Sequence, residues 1–315
     1  MNIQWFPGHM HKARVEMAEI LPKVDLVIEI LDARIPYSSE NPMLAELRGK
    51  KPCLKVLNKS DLADPDRTNE WRNYLESQQG IRARSVTTEQ PNQIRQLGDV
   101  CLDMFSDKLG IGKNITAMIC GIPNVGKSTL INILARRKVA KTGNEPAVTK
   151  GQQRIKLGNG VVLFDTPGVL WPNVANEKSG YRLATIGSIK DTAMEYEDVG
   201  YFAAGFMLET YPDRLVERYK LNAVPTAPLE ALDEIGKKRG CLNKRGIIDY
   251  DRVCRILLTE MRSGKLGTIT LETPEMAETE RTEVAEKLKE REEQKSKKKA
   301  DRKARFKEKQ KGRRK

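Results

Sequence analysis

Gly121-Ile122-Pro123-Asn124-Val125-Gly126-Lys127-Ser128 decides how this chain folds. The spacing is G-x-x-x-x-G-K-S. Ile115 to Cys120 before it is short and apolar, as a buried strand would be. Thr129 to Arg137 after it carries Leu130, Ile131 and Leu134 for one helix face. Strand, glycine loop and helix N-terminus in that order make a cradle for phosphate. Backbone N–H groups from Asn124 through Thr129, Val125 and Gly126 included, would wrap the β-phosphate with the helix dipole behind them. Lys127 would reach the β- and γ-phosphates, and the Ser128 hydroxyl would hold Mg²⁺. A glycine turn that happens to precede Lys-Ser is the competing reading, and the flanks weigh against it.

Three further stretches speak to the same chemistry. Pro52 to Leu57 reads as a strand that runs into Asn58-Lys59-Ser60-Asp61, the N-K-x-D pattern. A carboxylate at Asp61 can accept hydrogen bonds from both N1–H and the exocyclic amine of guanine. Adenine would leave its oxygens unpaired. Asn58 and Lys59 would brace that loop and cover the base. Val161 to Phe164 reads as a strand ending in Asp165-Thr166-Pro167-Gly168. Asp165 would bind Mg²⁺ through water, and the Gly168 N–H would sense the γ-phosphate. Lys141 to Gln153 is a polar loop in which Thr149 can close on Mg²⁺ and the γ-phosphate, or serve only as part of a connection. Ser85 and Val86, at the end of a short strand from Ile81, are candidates to touch guanine through backbone N–H. The nucleotides implied are GTP and GDP.

Val24 to Leu31 supplies another buried strand, followed by Asp32-Ala33-Arg34. Helices are expected at 41–47, 68–78 and 92–109. A first helix carries Met10, Ala13, Met17, Ile20 and Leu21, with His9 and His11 at its start as ordinary surface residues on this segment alone.

The chain has 315 residues and a net charge of +13. Residues 281–315 hold 17 Lys/Arg and 7 Asp/Glu, so nearly all the excess sits in the tail. A near-neutral body with a basic appendage points to a polyanionic partner. The five cysteines lack zinc-finger spacing and suit a reducing compartment. No apolar run is long enough for a membrane span, and the N-terminus lacks the apolar core of a signal peptide. A cytoplasmic, monomeric protein without membrane contact is expected.

The order of the motifs is unusual. Asn58–Asp61 precedes the phosphate loop, and Asp165–Gly168 comes last, so the chain is permuted relative to an ordinary small GTPase. The D-T-P-G segment then leads through Val169-Leu170-Trp171-Pro172 straight into a following domain, which it could move. The chain resembles the circularly permuted ribosome biogenesis GTPases. The resemblance rests on I-Q-W-F-P-G-H-M at the start, L-D-A-R-I-P with S-S-x-N-P, L-N-K-S-D, G-I-P-N-V-G-K-S-T-L-I-N, D-T-P-G-V-L-W-P, and K-R-G-C-L near 238–242. It implies an α/β fold: a mostly parallel, doubly wound P-loop GTPase domain over 1–175, then a small helical RNA-binding domain over 176–274. A disordered lysine-rich tail over 275–315 lies outside it. Ala147 departs from the usual Pro-Gly-x-Thr of such proteins. Val169 cannot orient water as glutamine does, and the resemblance implies that His9 takes that role. Separately, a P-loop asparagine at Asn124 resembles those of potassium-activated GTPases, where the side chain helps coordinate K⁺; its other reading is a turn-forming asparagine. GTP hydrolysis on a maturing large ribosomal subunit and its rRNA is the implied function. A GTP-dependent RNA-binding scaffold and a tRNA-related GTPase are the alternatives.

Within 176–274, three apolar stripes suggest helices packed on a core: Val199 to Met207, Leu229 to Ile235 with Thr226 as N-cap, and Val253 to Met261. Lys237-Lys238-Arg239-Gly240 and Lys244-Arg245-Gly246 between them form either an RNA contact or a solvated charge run.

Overall fold

The computed structural model describes residues 15–106, 114–140, 153–166, 168 and 176–312. His9, His11, Thr149, Pro167 and the 169–175 segment lie outside the described residues. Helix α1 is described over 15–20. A six-stranded sheet follows, built from β1 (Leu26–Asp32), β2 (Cys53–Asn58), β3 (Ile81–Ser85), β4 (Ile115–Gly121), β5 (Gln153–Lys156) and β6 (Val161–Asp165). Its spatial order is β3-β2-β1-β4-β6-β5. All neighbours run parallel except β5, which runs antiparallel to β6. Every residue of β1 and of β2 is buried, as strands covered on both faces must be.

Renumbering from β4 as the first strand gives the order 6-5-4-1-3-2, so only the chain break is displaced. β1 and β4 are the central pair, and their outward connections diverge to opposite halves of the sheet. A crevice opens at the carboxyl ends of strands where the winding reverses in this way. The register brings the functional residues to that edge: Asp32 pairs with Asn58, and Ile30 with Gly121.

Helices α2 (Pro36–Ser39), α3 (Pro42–Arg48), α4 (Pro65–Glu76), α5 (Pro91–Asp103) and α6 (Lys127–Ala135) link the strands. Asn41 and Asp64 cap α3 and α4, each before a proline that starts the helix. The loop between α2 and α3 is tied to the sheet by charge. The Glu29 carboxylate accepts from the Asn41 N–H at 2.8 Å and lies 3.5 Å from Lys55 Nζ, which also pairs with Glu40.

After residue 176 come α7 (Glu177–Thr185), α8 (Tyr196–Thr210), α9 (Pro212–Tyr219), α10 (Pro228–Lys238) and α11 (Tyr250–Arg262). A side chain at Gly200 would meet Cys254 Sγ at 2.3 Å, so glycine is what lets α8 and α11 cross closely. Thr226 is not the N-cap of α10. Ala227 holds that position, and Glu230 reaches back to accept from the Thr226 N–H and hydroxyl, both at 2.7 Å. Pro228 pre-sets the first turn, so no hydroxyl is needed at the cap.

The chain then returns to the sheet. Ile269 donates its N–H to Leu62 O at 2.9 Å, and Leu271 to Arg34 O at 2.8 Å. The Glu272 carboxylate accepts from the Tyr37 N–H at 2.8 Å and from the Ser38 hydroxyl. The Trp71 indole N–H donates to Glu272 O at 3.0 Å. Residues through Thr273 accordingly form one compact unit, and residues from Pro274 a second. That second unit is the helix α12 (Pro274–Gly312), where disorder was expected. Glu, Lys, Arg and Ala dominate it, and all favour helix. Charge pairs such as Arg281–Glu278 add to it locally. No described helix is long and apolar enough to cross a membrane.

Candidate nucleotide site

The phosphate loop leaves β4 at Gly121. A Cβ there would sit 2.8 Å from Ile30 O, so the loop starts in close contact with β1. Asn124 and Gly126 both take left-handed backbone, at φ 63° and 89°. At Gly126 a side chain would also strike Asn58 Nδ2 at 2.4 Å. Val125 is fully buried and anchors the loop, while Ser128 and Thr129 at the start of α6 are half-buried. Gly168 lies beside the loop: its Cβ position is 3.5 Å from Gly121 O and 3.6 Å from Ile122 O.

Lys127 and Asp165 are both buried and form an ion pair. Burial pushes the Asp165 carboxyl above its usual range, and the Lys127 charge only partly opposes this. Asp165 Oδ2 is buried with no hydrogen-bond partner. An orphan carboxylate oxygen of that kind suits a hard cation. With the Ser128 hydroxyl it supplies an all-oxygen donor pair that fits Mg²⁺.

The Asn58–Asp61 loop is bonded to the phosphate loop at two points. Asn58 Nδ2 donates to Val125 O at 2.6 Å, and Lys59 Nζ to Asn124 O at 2.6 Å. Lys59 is itself left-handed at φ 59°. Asp61 is exposed. Val86 does not have the expected free donor: its N–H already bonds Leu57 O at 2.9 Å, and its carbonyl takes the Ser60 N–H at 3.1 Å. It therefore shapes the loop from behind. Ser85, at the end of β3, is half-buried.

Two residues that the fold places beside these loops were given no role from sequence. Asp32 and Arg34 form a buried two-point ion pair, with Nε–Oδ1 and Nη2–Oδ2 both at 2.9 Å. Lys59 Nζ adds a third bond to Asp32 at 2.9 Å. Burial alone would raise the Asp32 carboxyl, yet the two cations hold it far below the usual range. Burial likewise opposes the Arg34 charge, but Asp32 and, more weakly, Asp61 outweigh it. The signal was present as an Asp-x-Arg at the carboxyl end of a buried strand.

Asn124 Nδ2 donates to Gly187 O at 2.8 Å, in the turn after α7. The phosphate loop is thus bonded directly to the helical region. Of the basic connector, Arg239 is engaged internally. It pairs with Glu260 at 3.0 Å and lies over the Tyr219 ring. Lys237 pairs with Glu234 on the surface. Lys238, Lys244 and Arg245 are exposed.

A phosphate loop on the fourth strand in the chain, with the base reader ahead of it and the acidic switch strand behind it, defines a circularly permuted P-loop GTPase. A family model described as a 50S ribosome-binding GTPase matches residues 116–198. Ribosome biogenesis GTPase A of Priestia megaterium is 46% identical over 286 residues, covering 88% of this chain and 99% of that protein. The Bacillus cereus protein of the same name is 48% identical, covering 87% and 95%. The crystal structure of GNP-bound YlqF from T. maritima superposes with a TM-score of 0.59 at 28% identity, covering 84% of this chain and 99% of that one. The chain belongs to the ribosome biogenesis GTPase A family, and it is a GTP-hydrolysing enzyme of ribosome assembly.

Proposed function

We propose that this GTPase acts on a precursor of the large ribosomal subunit, bound through rRNA, and that GTP hydrolysis times its departure. The observation that carries this is the uneven charge: a near-neutral GTPase body bears a tail with 17 Lys/Arg against 7 Asp/Glu over 281–315. Basic surface on the body supports the same reading. A cleft of about 680 Å³ is lined by Arg95, Arg136 and Arg137, from α5 and from the end of α6. Lys244 and Arg245 crown a tight turn, in which Asn243 Oδ1 accepts the Arg245 N–H at 2.9 Å and the Ile247 N–H at 3.1 Å. Such cations grip phosphates without reading sequence.

In this reading Lys127 turns its ammonium to the β- and γ-phosphates, and Asp61 selects guanine. Ser128 and Asp165 hold Mg²⁺, which neutralises phosphate charge when bound. Gly168 and Thr149 report the γ-phosphate, and His9 orients the attacking water. Asn124 has committed its amide nitrogen to Gly187, which leaves the amide oxygen as the atom for K⁺. The GTPase part gives way to the helical part at about residue 175 within the one compact unit, and the enzyme works as a cytoplasmic monomer. The deciding experiment is phosphate release with each purified ribosomal subunit in K⁺ and in Na⁺, paired with co-sedimentation. Stimulation by the large subunit or its precursor supports the proposal; stimulation by neither subunit, or binding only to tRNA, overturns it. Equal rates in the two salts remove the K⁺ role alone.

A further inference from the structure

A chain of hydrogen bonds leaves the phosphate loop from the side chain of Asn124 and comes back to its main chain. Asn124 Nδ2 bonds Gly187 O at 2.8 Å. Gly187 stands in left-handed backbone at φ 79°, and its N–H closes the end of α7 on Ala184 O at 3.1 Å. The guanidinium of Arg262, at the end of α11, holds that same turn. Its Nε donates to Thr185 O at 2.9 Å and its Nη2 to Ala184 O at 2.8 Å. It also packs 3.2 Å from where a Gly187 side chain would begin. The Arg262 carbonyl accepts from Arg34 Nη1 at 3.2 Å. Arg34 is locked to Asp32, Asp32 to Lys59, and Lys59 Nζ returns to Asn124 O at 2.6 Å.

The ring therefore runs from the phosphate loop through the helical region to the base loop and back. Two of its members, Asn124 and Lys59, are non-glycine residues in left-handed backbone, one in each nucleotide loop. That conformation costs on the order of 1 kcal/mol or more and persists only where surrounding bonds impose it. At Asn124 the side-chain bond comes from the helical region, and at Lys59 the bonds go to Asp32 and to Asn124 itself. Among the described residues Arg262 serves both arms: its side chain holds the turn that receives Asn124, and its carbonyl receives Arg34.

We propose that Arg262 is a positioning residue for the nucleotide site, holding the phosphate loop and the base loop in register although it touches neither nucleotide nor metal. The helical region is then part of the nucleotide-binding machinery. The proposal rests on the site assigned above, and the test separates the two. Affinity for a fluorescent GDP analogue, kcat and KM for GTP, and Tm are measured on full-length protein. Wild-type protein that fails to bind GDP would sink the site assignment itself. With wild-type binding intact, Arg262→Ala is expected to weaken GDP by about tenfold and raise KM similarly, with kcat within about twofold. Arg262→Lys keeps a donor to one carbonyl and is expected to recover part of the loss; it is also the working variant should Arg262→Ala not fold. Arg218→Ala breaks a two-point pair with Glu260 in the same helical region and controls for stability alone. It is expected to lower Tm without changing GDP affinity. Arg262→Ala combined with Asn124→Ala is expected to lose less than the sum of the two, since either change opens the same ring. Unchanged GDP affinity in Arg262→Lys and Arg262→Ala, an equal loss in Arg218→Ala, or additive losses in the double variant would each overturn the proposal.

Discussion

Two acidic residues end neighbouring halves of the same sheet edge, and their surroundings are opposite. Asp32, on the base side, has both oxygens taken by Arg34 and Lys59 and is held ionised. Asp165, on the phosphate side, shares one oxygen with Lys127 and keeps the other buried and bare. The Asp32 carboxylate is thus satisfied within the protein, although Asn58 Oδ1, at the end of the neighbouring strand, is buried without a hydrogen-bond partner. At Asp165 it is one of the two charged oxygens themselves that lacks a partner inside the protein. A guanine pocket gains selectivity from rigidity. A site that must register the loss of a γ-phosphate gains from interactions that only the ligand can satisfy.

The sharpest way to break that contrast is Lys127→Ala. GTP hydrolysis should fall by about 10²-fold or more, read as phosphate release at saturating GTP. A fall of only a few-fold would mean that Lys127 serves Asp165 and not the phosphates. Next in size is Asp32→Ala, which strands Arg34 and Lys59. Urea unfolding should show a loss of about 3–5 kcal/mol, as for other broken buried ion pairs. A loss near zero would show that the base side is not preassembled.

The smallest effect concerns pH, and the two residues should trend in opposite directions. Asp32 has a folded pKa far below the unfolded value of about 3.9. Its stabilisation is present above that value and drains away as pH falls below it, so the penalty of Asp32→Asn should shrink in acid. Asp165 has a raised folded pKa. Its favourable contribution is complete below about 3.9 and is lost as pH rises, so the penalty of Asp165→Asn should be smaller at pH 7 than at pH 4. Both trends are read as the change in urea-unfolding stability of each variant, relative to wild type, between neutral and acidic pH. Trends of the same sign would erase the distinction between the two sides.

The sheet was largely legible in the sequence because its central strands are uninterrupted apolar runs ending in chemically distinctive residues. The strand β5 was not. Gln153-Arg154-Ile155-Lys156 buries only Ile155, and an edge strand with charge on its open face carries no apolar run to find. The phosphate loop was expected from its spacing and flanks, and Asn58, Lys59 and Asp61 from N-K-x-D after an apolar strand in a chain that carries such a loop. The partners of Asn124 and Arg34 were not, because Gly187 and Arg262 lie 63 and 228 residues further along the chain. No local pattern of residues records a meeting made only by the folded chain. Val86 shows the limit from the other side. A strand end looks like a donor to a ligand until the neighbouring strand is seen to claim its N–H.

All five thiols are buried: Cys53, Cys101, Cys120, Cys241 and Cys254. Burial pushes Cys53, Cys101 and Cys254 up to about 12. Burial keeps a thiol reagent from all five while the chain is folded, and at Cys53, Cys101 and Cys254 it would meet almost no thiolate. Cys53 and Cys120 sit in the sheet, Cys101 on α5, and Cys241 and Cys254 at the end of α10 and on α11. The cysteines are thus five dormant reporters distributed across the molecule, and the order in which they become alkylated in rising denaturant is a map of which part opens first.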